Sequence, residues 1–164
     1  MKIMKNLLIG LSFLLLIVGC TKMNNAPLKS GQSRFSFSVS GATSGQFNSD
    51  DLMSTVSSNG TYLNVNASKV NTSTFQTEMV LMLMPANATV GKYEFANMSS
   101  SEQFPTMSYT KESTGWAAAP GENDFTVEVT NVSDGTVEGK LYGKLKNETD
   151  NTEISIDGTF KYKL

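Results

Sequence analysis

Histidine is absent from this chain of 164 residues, and cysteine occurs once, at Cys20. Without imidazole, neither a Ser-His-Asp nor a Cys-His nucleophile system can be assembled. Zinc and copper centres built on imidazole or paired thiolates are excluded for the same reason, and the composition calls for no cofactor. A single thiol also forbids a disulfide within the monomer, so stability has to come from an apolar core and from strand ladders. No apolar run is long enough to cross a bilayer as a helix: Leu7 to Val18 is twelve residues, where about 20 are needed. No convincing amphipathic helix and no internal repeat occur.

What is present at the N-terminus is an address. Lys2 and Lys5 precede the apolar run, and Ile17, Val18, Gly19 and Cys20 close it. A basic flank, a short apolar segment and a small residue before the cut describe a secretory signal. The order ending on cysteine resembles the lipobox of bacterial lipoproteins, with Ile17 where leucine is usual. That resemblance implies that residues 1–19 are removed and that Cys20 is acylated, becoming the first residue of a protein held on a membrane. Acyl chains worth ~0.8 kcal/mol per buried methylene make such an anchor effectively permanent. Thr21, in place of aspartate, implies the outer membrane of a Gram-negative envelope.

The remaining 145 residues suit one domain. Lys2 and Lys5 leave with the signal, so 11 basic side chains face 15 acidic ones. The densest basic cluster, Lys140, Lys144 and Lys146, is interleaved with Glu138 and Glu148, which argues against a nucleic-acid partner. Residues 20–33 are polar, carry Pro27 and Gly31 and show no period, so they read as a flexible tether to a domain spanning 34–164.

Within that domain the periodicity is that of strands. Phe35, Phe37 and Val39 alternate with serines, and Leu63, Val65 and Ala67 alternate with asparagines. Gly41 to Leu52 reads as a loop from which Phe47 and Leu52 tuck back onto the sheet. Met79 to Met84 is apolar at every position and ends at Pro85, which predicts a central strand covered on both faces. Met82 and Met84 share a side of it, a pattern that suits core packing better than a thioether copper site. Shorter strands are predicted over Lys92 to Phe95 and Phe104 to Thr110.

The last third predicts a meander of Phe125 to Val129, Val137 to Leu145 and Ile154 to Tyr162. A three-residue loop of Ser133, Asp134 and Gly135 sets Phe125 opposite Gly143. A four-residue loop, Glu148 to Asn151, pairs Leu145 with Ile154, Gly143 with Ile156, Leu141 with Gly158 and Gly139 with Phe160. Every glycine then meets a bulky partner, so Gly143→Val is expected to cost about 1–3 kcal/mol by overpacking. The sum is an all-β fold: an antiparallel β-sandwich of eight or nine strands, with barrel-like closure as the alternative.

Few residues suggest chemistry. Trp116, the single tryptophan, is read as lying in a loop of small residues. There it either caps one end of the core or offers a ring face to a sugar, with Glu122, Asn123 and Asp124 as polar partners. Paired carboxylates occur at Asp50 with Asp51 and at Glu122 with Asp124, but no spacing shows a pair meeting across a cleft, so no catalysis is expected. No loop matches a spaced calcium pattern, and no metal is assigned. Asn-x-Ser/Thr triplets, such as those at Asn59, Asn71 and Asn147, are what chance produces in a chain this rich in Asn, Ser and Thr.

Four features together carry a broader resemblance: the lipobox; Gly91, Lys92 and Tyr93 opening a middle strand; Val137, Glu138 and Gly139 with Gly143; and Asp157, Gly158, Thr159 and Phe160. On these the chain resembles small envelope lipoproteins of Bacteroidota with a single β-sandwich domain of unassigned function. The resemblance implies fold and location and carries over no catalytic residue. The expectation is a lipid-anchored, non-catalytic binding or structural component of the envelope. Its partner would be a glycan, bound through Trp116, or an envelope protein in a surface assembly.

Overall fold

A computed structural model of the chain describes residues 26–49, 53–98, 106–121 and 124–164. Within them the fold is all-β, as the alternation predicts, with eleven antiparallel strands rather than eight or nine. They are β1 (Ser33–Gly41), β2 (Gly45–Asn48), β3 (Ser54–Ser58), β4 (Tyr62–Asn71), β5 (Gln76–Pro85), β6 (Gly91–Glu94), β7 (Thr106–Lys111), β8 (Thr114–Ala118), β9 (Phe125–Ser133), β10 (Thr136–Lys146) and β11 (Glu153–Lys163). One 3₁₀ turn, Phe95–Asn97, follows β6.

Two runs of ladders organise these strands. One reads β2-β1-β11-β10-β9-β6 and the other β8-β7-β5-β4-β3. They join where Lys146, at the end of β10, pairs with Ala117 of β8. The nine-strand path from β2 to β3 thereby curls into a half-barrel whose arms face each other across one core. Its two ends are also tied. The Val56 N–H donates to the Gly31 carbonyl at 2.8 Å, the Ser33 N–H to Ser54 Oγ at 3.1 Å, and the Ser33 hydroxyl to the Asn66 carbonyl at 2.6 Å.

Inward residues follow the period of two: Phe35, Phe37 and Val39 of β1; Leu141 and Leu145 of β10; Ile154, Ile156, Phe160 and Tyr162 of β11. Val65, Met82, Met84 and Met107 close the core from the other arm. Aromatic rings bridge the two: Phe37 stacks on Phe47 at 4.9 Å and meets Tyr109 edge-on at 5.6 Å, and Tyr109 stacks on Trp116 at 6.2 Å.

The four pairs predicted between β10 and β11 all form, as does Phe125 opposite Gly143. That last pair arises from two departures that cancel. The β9–β10 turn has two residues, Asp134 (φ 49°) and Gly135 (φ 70°), the type I′ geometry, so Ser133 pairs with Thr136. A bulge at Thr130 then shifts the register by one residue, and the Thr130 hydroxyl donates to the Glu138 carbonyl there.

Several expectations are corrected. β5 is covered on one face only: Val80, Met82 and Met84 are buried, whereas Met79 is 46% exposed. A strand in an antiparallel sheet has no crossover helix to cover its outer side. β2, within the expected loop, brings in Phe47 as foreseen, while Leu52 lies outside the described residues. The folded part begins before residue 34, because Leu28 is buried, Arg34 donates to the Ala26 carbonyl, and Gly31 and Gln32 bond the backbone of Lys163. Residues 28 and 31–33 thus belong with the folded part, ahead of the expected start at 34.

Asn59, Asn71 and Asn147 are turn residues, each side-chain carbonyl accepting two backbone N–H groups two and three residues on. The β4–β5 and β10–β11 loops share this geometry and close with a left-handed residue, Phe75 (φ 56°) and Asn151 (φ 58°).

Candidate functional site: an open cleft at the distal end

β1 enters the fold beside Ala26 and runs away from it, as do β10 and β4, so the loops fall at two ends. At the end remote from Ala26, three loops gather around an open cleft of about 330 Å³. The β1–β2 turn supplies Ala42 and Thr43, the β7–β8 hairpin Lys111, Glu112 and Thr114, and the β10–β11 loop Asp150 and Thr152. Trp116 forms the floor.

The structure corrects the loop placement of Trp116. Trp116 lies on β8, inward with Ala118 while Gly115 and Ala117 point out, and is 5% exposed. One face of its ring packs on Tyr109, so it caps the core, the other role open to it in the sequence, and leaves no broad face for a sugar. Its Nε1–H donates to Thr152 Oγ1 at 3.1 Å, and the Thr152 hydroxyl donates in turn to Asp150 Oδ1 at 2.7 Å. Hydrogen bonds from the Thr152 hydroxyl and N–H hold the Asp150 carboxyl below its ordinary value. The relay fixes the indole, the hydroxyl and the carboxylate in one geometry.

Lys111 donates to the Ser44 carbonyl at 3.2 Å, pinning the β1–β2 turn to the cleft wall. Beneath it, Tyr109 donates to Glu78 Oε2 at 2.8 Å, and burial pushes its hydroxyl well above the ordinary phenol range. The cleft thus presents two carboxylates, one ammonium, threonine hydroxyls and an indole. Such a set can accept and donate hydrogen bonds to a polyhydroxylated or zwitterionic solute. Among the described residues no three His, Cys, Asp or Glu side chains converge as a metal site requires.

Of the residues singled out beforehand, Cys20, Glu122 and Asn123 lie outside the described residues. Asp124 is exposed at the start of β9, where its carbonyl accepts from the Lys144 N–H. It is not among the cleft residues: Phe125 pairs with Gly143, three residues along β10 from the Lys146 that pairs with Ala117. Trp116 is joined instead by Glu112, Asp150 and Thr152. The signal for Asp150 was present as a loop of fixed length, but nothing local tells that this loop meets the β7–β8 hairpin. Comparison with known protein families, curated proteins and solved structures finds no match.

Proposed function

We propose that this chain is a lipid-anchored, non-catalytic binding protein of the cell envelope, held at the outer membrane through Cys20 and presenting its distal cleft away from the bilayer. The observation that carries this reading is the polarity of the domain. Chain enters at Ala26, six residues after Cys20, and the cleft opens at the opposite end of β1, about 30 Å away for nine residues of strand. An anchor at one end and a polar cleft at the other suit a protein that meets its ligand away from the membrane.

Binding is favoured over a polymerising surface subunit by the edges. The terminal strands β2, β3 and β6 have four, five and four residues, too short to offer a long template for strand addition. Glycans are the ligand class to test first, bound by hydrogen bonds from the cleft rim rather than by stacking, since hydroxyl groups match its carboxylates and ammonium.

Two measurements test the proposal. Cys20→Ala should move the protein from the membrane to the soluble fraction, and mass spectrometry of the mature wild type should find acyl chains on Cys20; a bare thiol there refutes the anchor. Titration with soluble envelope glycans should change the emission of Trp116, the single tryptophan, and Asp150→Asn should weaken that response. A panel without any response refutes glycan binding at this cleft.

A further inference from the structure

The end of the fold where Ala26 emerges carries apolar side chains that the core does not use. Val132, paired with Val137 on the sheet's edge side, and Leu164, two residues beyond Tyr162, lie on inward rows at this end and are 44% and 48% exposed. Both flank the β9–β10 turn, Val132 leading into it on β9 and Leu164 donating its N–H to the Gly135 carbonyl. Val90, before the β6 residue that pairs with Val129, is 64% exposed toward the same end. Lys29 and Lys163 border this rim and Asp134 sits in its turn, so charge of one sign does not dominate it.

We infer that this rim is a membrane-contact surface, seated in the headgroup layer of the bilayer that holds the anchor. The inference rests on acylation of Cys20, and the length of chain between anchor and fold supplies the occupant. Residues 21–25 separate Cys20 from Ala26, and six residue steps reach at most about 20 Å however they are arranged. The chain ends beside the rim: Gly31 and Gln32 bond the backbone of Lys163, next to Leu164. So short a connection keeps this end within about 20 Å of the bilayer surface. Effective concentrations for short linkers are of order mM, so contact too weak to bind a free protein suffices once the lipid is in place. Seating the rim would also fix the direction in which the cleft faces.

The test uses the full acylated protein in vesicles of phosphatidylethanolamine and phosphatidylglycerol. Acylation blocks Cys20, so Val132→Cys, Leu164→Cys and Phe75→Cys each offer one thiol for an environment-sensitive fluorophore. Phe75 is the control, 85% exposed in the β4–β5 loop at the far end. Flotation with the vesicles, together with strong quenching by spin-labelled lipid at 132 and 164 and little at 75, supports the inference. Flotation with equally weak quenching at all three sites overturns the docking and leaves the anchor standing. Failure to float overturns the anchor, and the docking with it. Circular dichroism of each variant confirms the fold, and the two rim positions guard against one substitution disturbing its own strand.

Discussion

Gly143→Ala is expected to be among the most damaging small substitutions in this domain. Gly143 has φ +126°, which L residues rarely adopt, and it sits on β10 opposite Phe125 near the point where β9 gives way to β8 as the neighbouring strand. A Cβ there would collide with the Asp124 carbonyl oxygen and lie 2.7 Å from Phe125 Cα. Both are backbone atoms, so no side chain can swing aside. Holding an alanine at such a φ costs about 1–3 kcal/mol, and displacing the strand adds a similar amount. The total, about 2–6 kcal/mol, is about twice the 1–3 kcal/mol expected from overpacking against Phe125 and Ile156 side chains alone. At about 3 °C per kcal/mol for a domain of this size, the melting temperature should fall by roughly 6–18 °C. The matched control is Gly115→Ala, on β8 with no positive φ, whose Cβ would lie 3.5 Å from Thr110 Oγ1. That change should be neutral or stabilising by about 0.4–1 kcal/mol, through the unfolded chain. Thermal and urea unfolding followed by circular dichroism measure both. If the two variants melt within a few degrees of each other, the account of the β9–β10 junction is wrong.

Two further substitutions probe the buried polar groups. The Tyr162 hydroxyl is fully buried and has no hydrogen-bond partner among the described residues, so Tyr162→Phe should stabilise the domain by about 1 kcal/mol; a lower melting temperature would show a partner outside them. Burial raises the hydroxyls of both Tyr162 and Tyr109 above the ordinary phenol value of 10.0, so stability should be intact below pH 10 and decline above it, less steeply in Tyr162→Phe. Thr152→Val removes the hydroxyl that depresses Asp150 most, keeps the backbone N–H bond to the carboxylate, and strands the Trp116 N–H. Because a depressed carboxyl favours the fold above its unfolded value of 3.8 and loses that contribution as pH falls below it, the acid decline should begin less steeply in the variant. A carboxyl titration of Asp150 by NMR that does not move upward in Thr152→Val would refute the relay.

Legibility followed the spacing of bulky residues. β1, β4, β10 and β11 alternate large apolar and polar side chains over many residues, and the glycine pairs of β10 and β11 follow once the loop between them is counted. β8 was invisible because Thr114, Gly115, Ala117 and Ala118 are too small to show which side is buried, leaving Trp116 to look like a loop residue. β5 misled in the opposite direction, since the apolar character of Met79, Leu81 and Leu83 does not say whether anything covers them. The extra residue at Thr130 and the shorter turn cancelled, so the pairing of Phe125 was foreseen for a reason that was half wrong.

The order of residues therefore determined by itself the all-β class, most strand positions, the β10–β11 register and the lack of any imidazole or second thiol, because these depend on composition and on a period of two read along one stretch of chain. Only the tertiary structure decided that the sheet branches at Lys146, that Leu28 and residues 31–33 belong to the domain, and that Trp116 meets Asp150 and Glu112 instead of Asp124. Those outcomes depend on twist, on a bulge and on loops distant in sequence meeting at one end of a curled sheet, and no local pattern encodes such meetings.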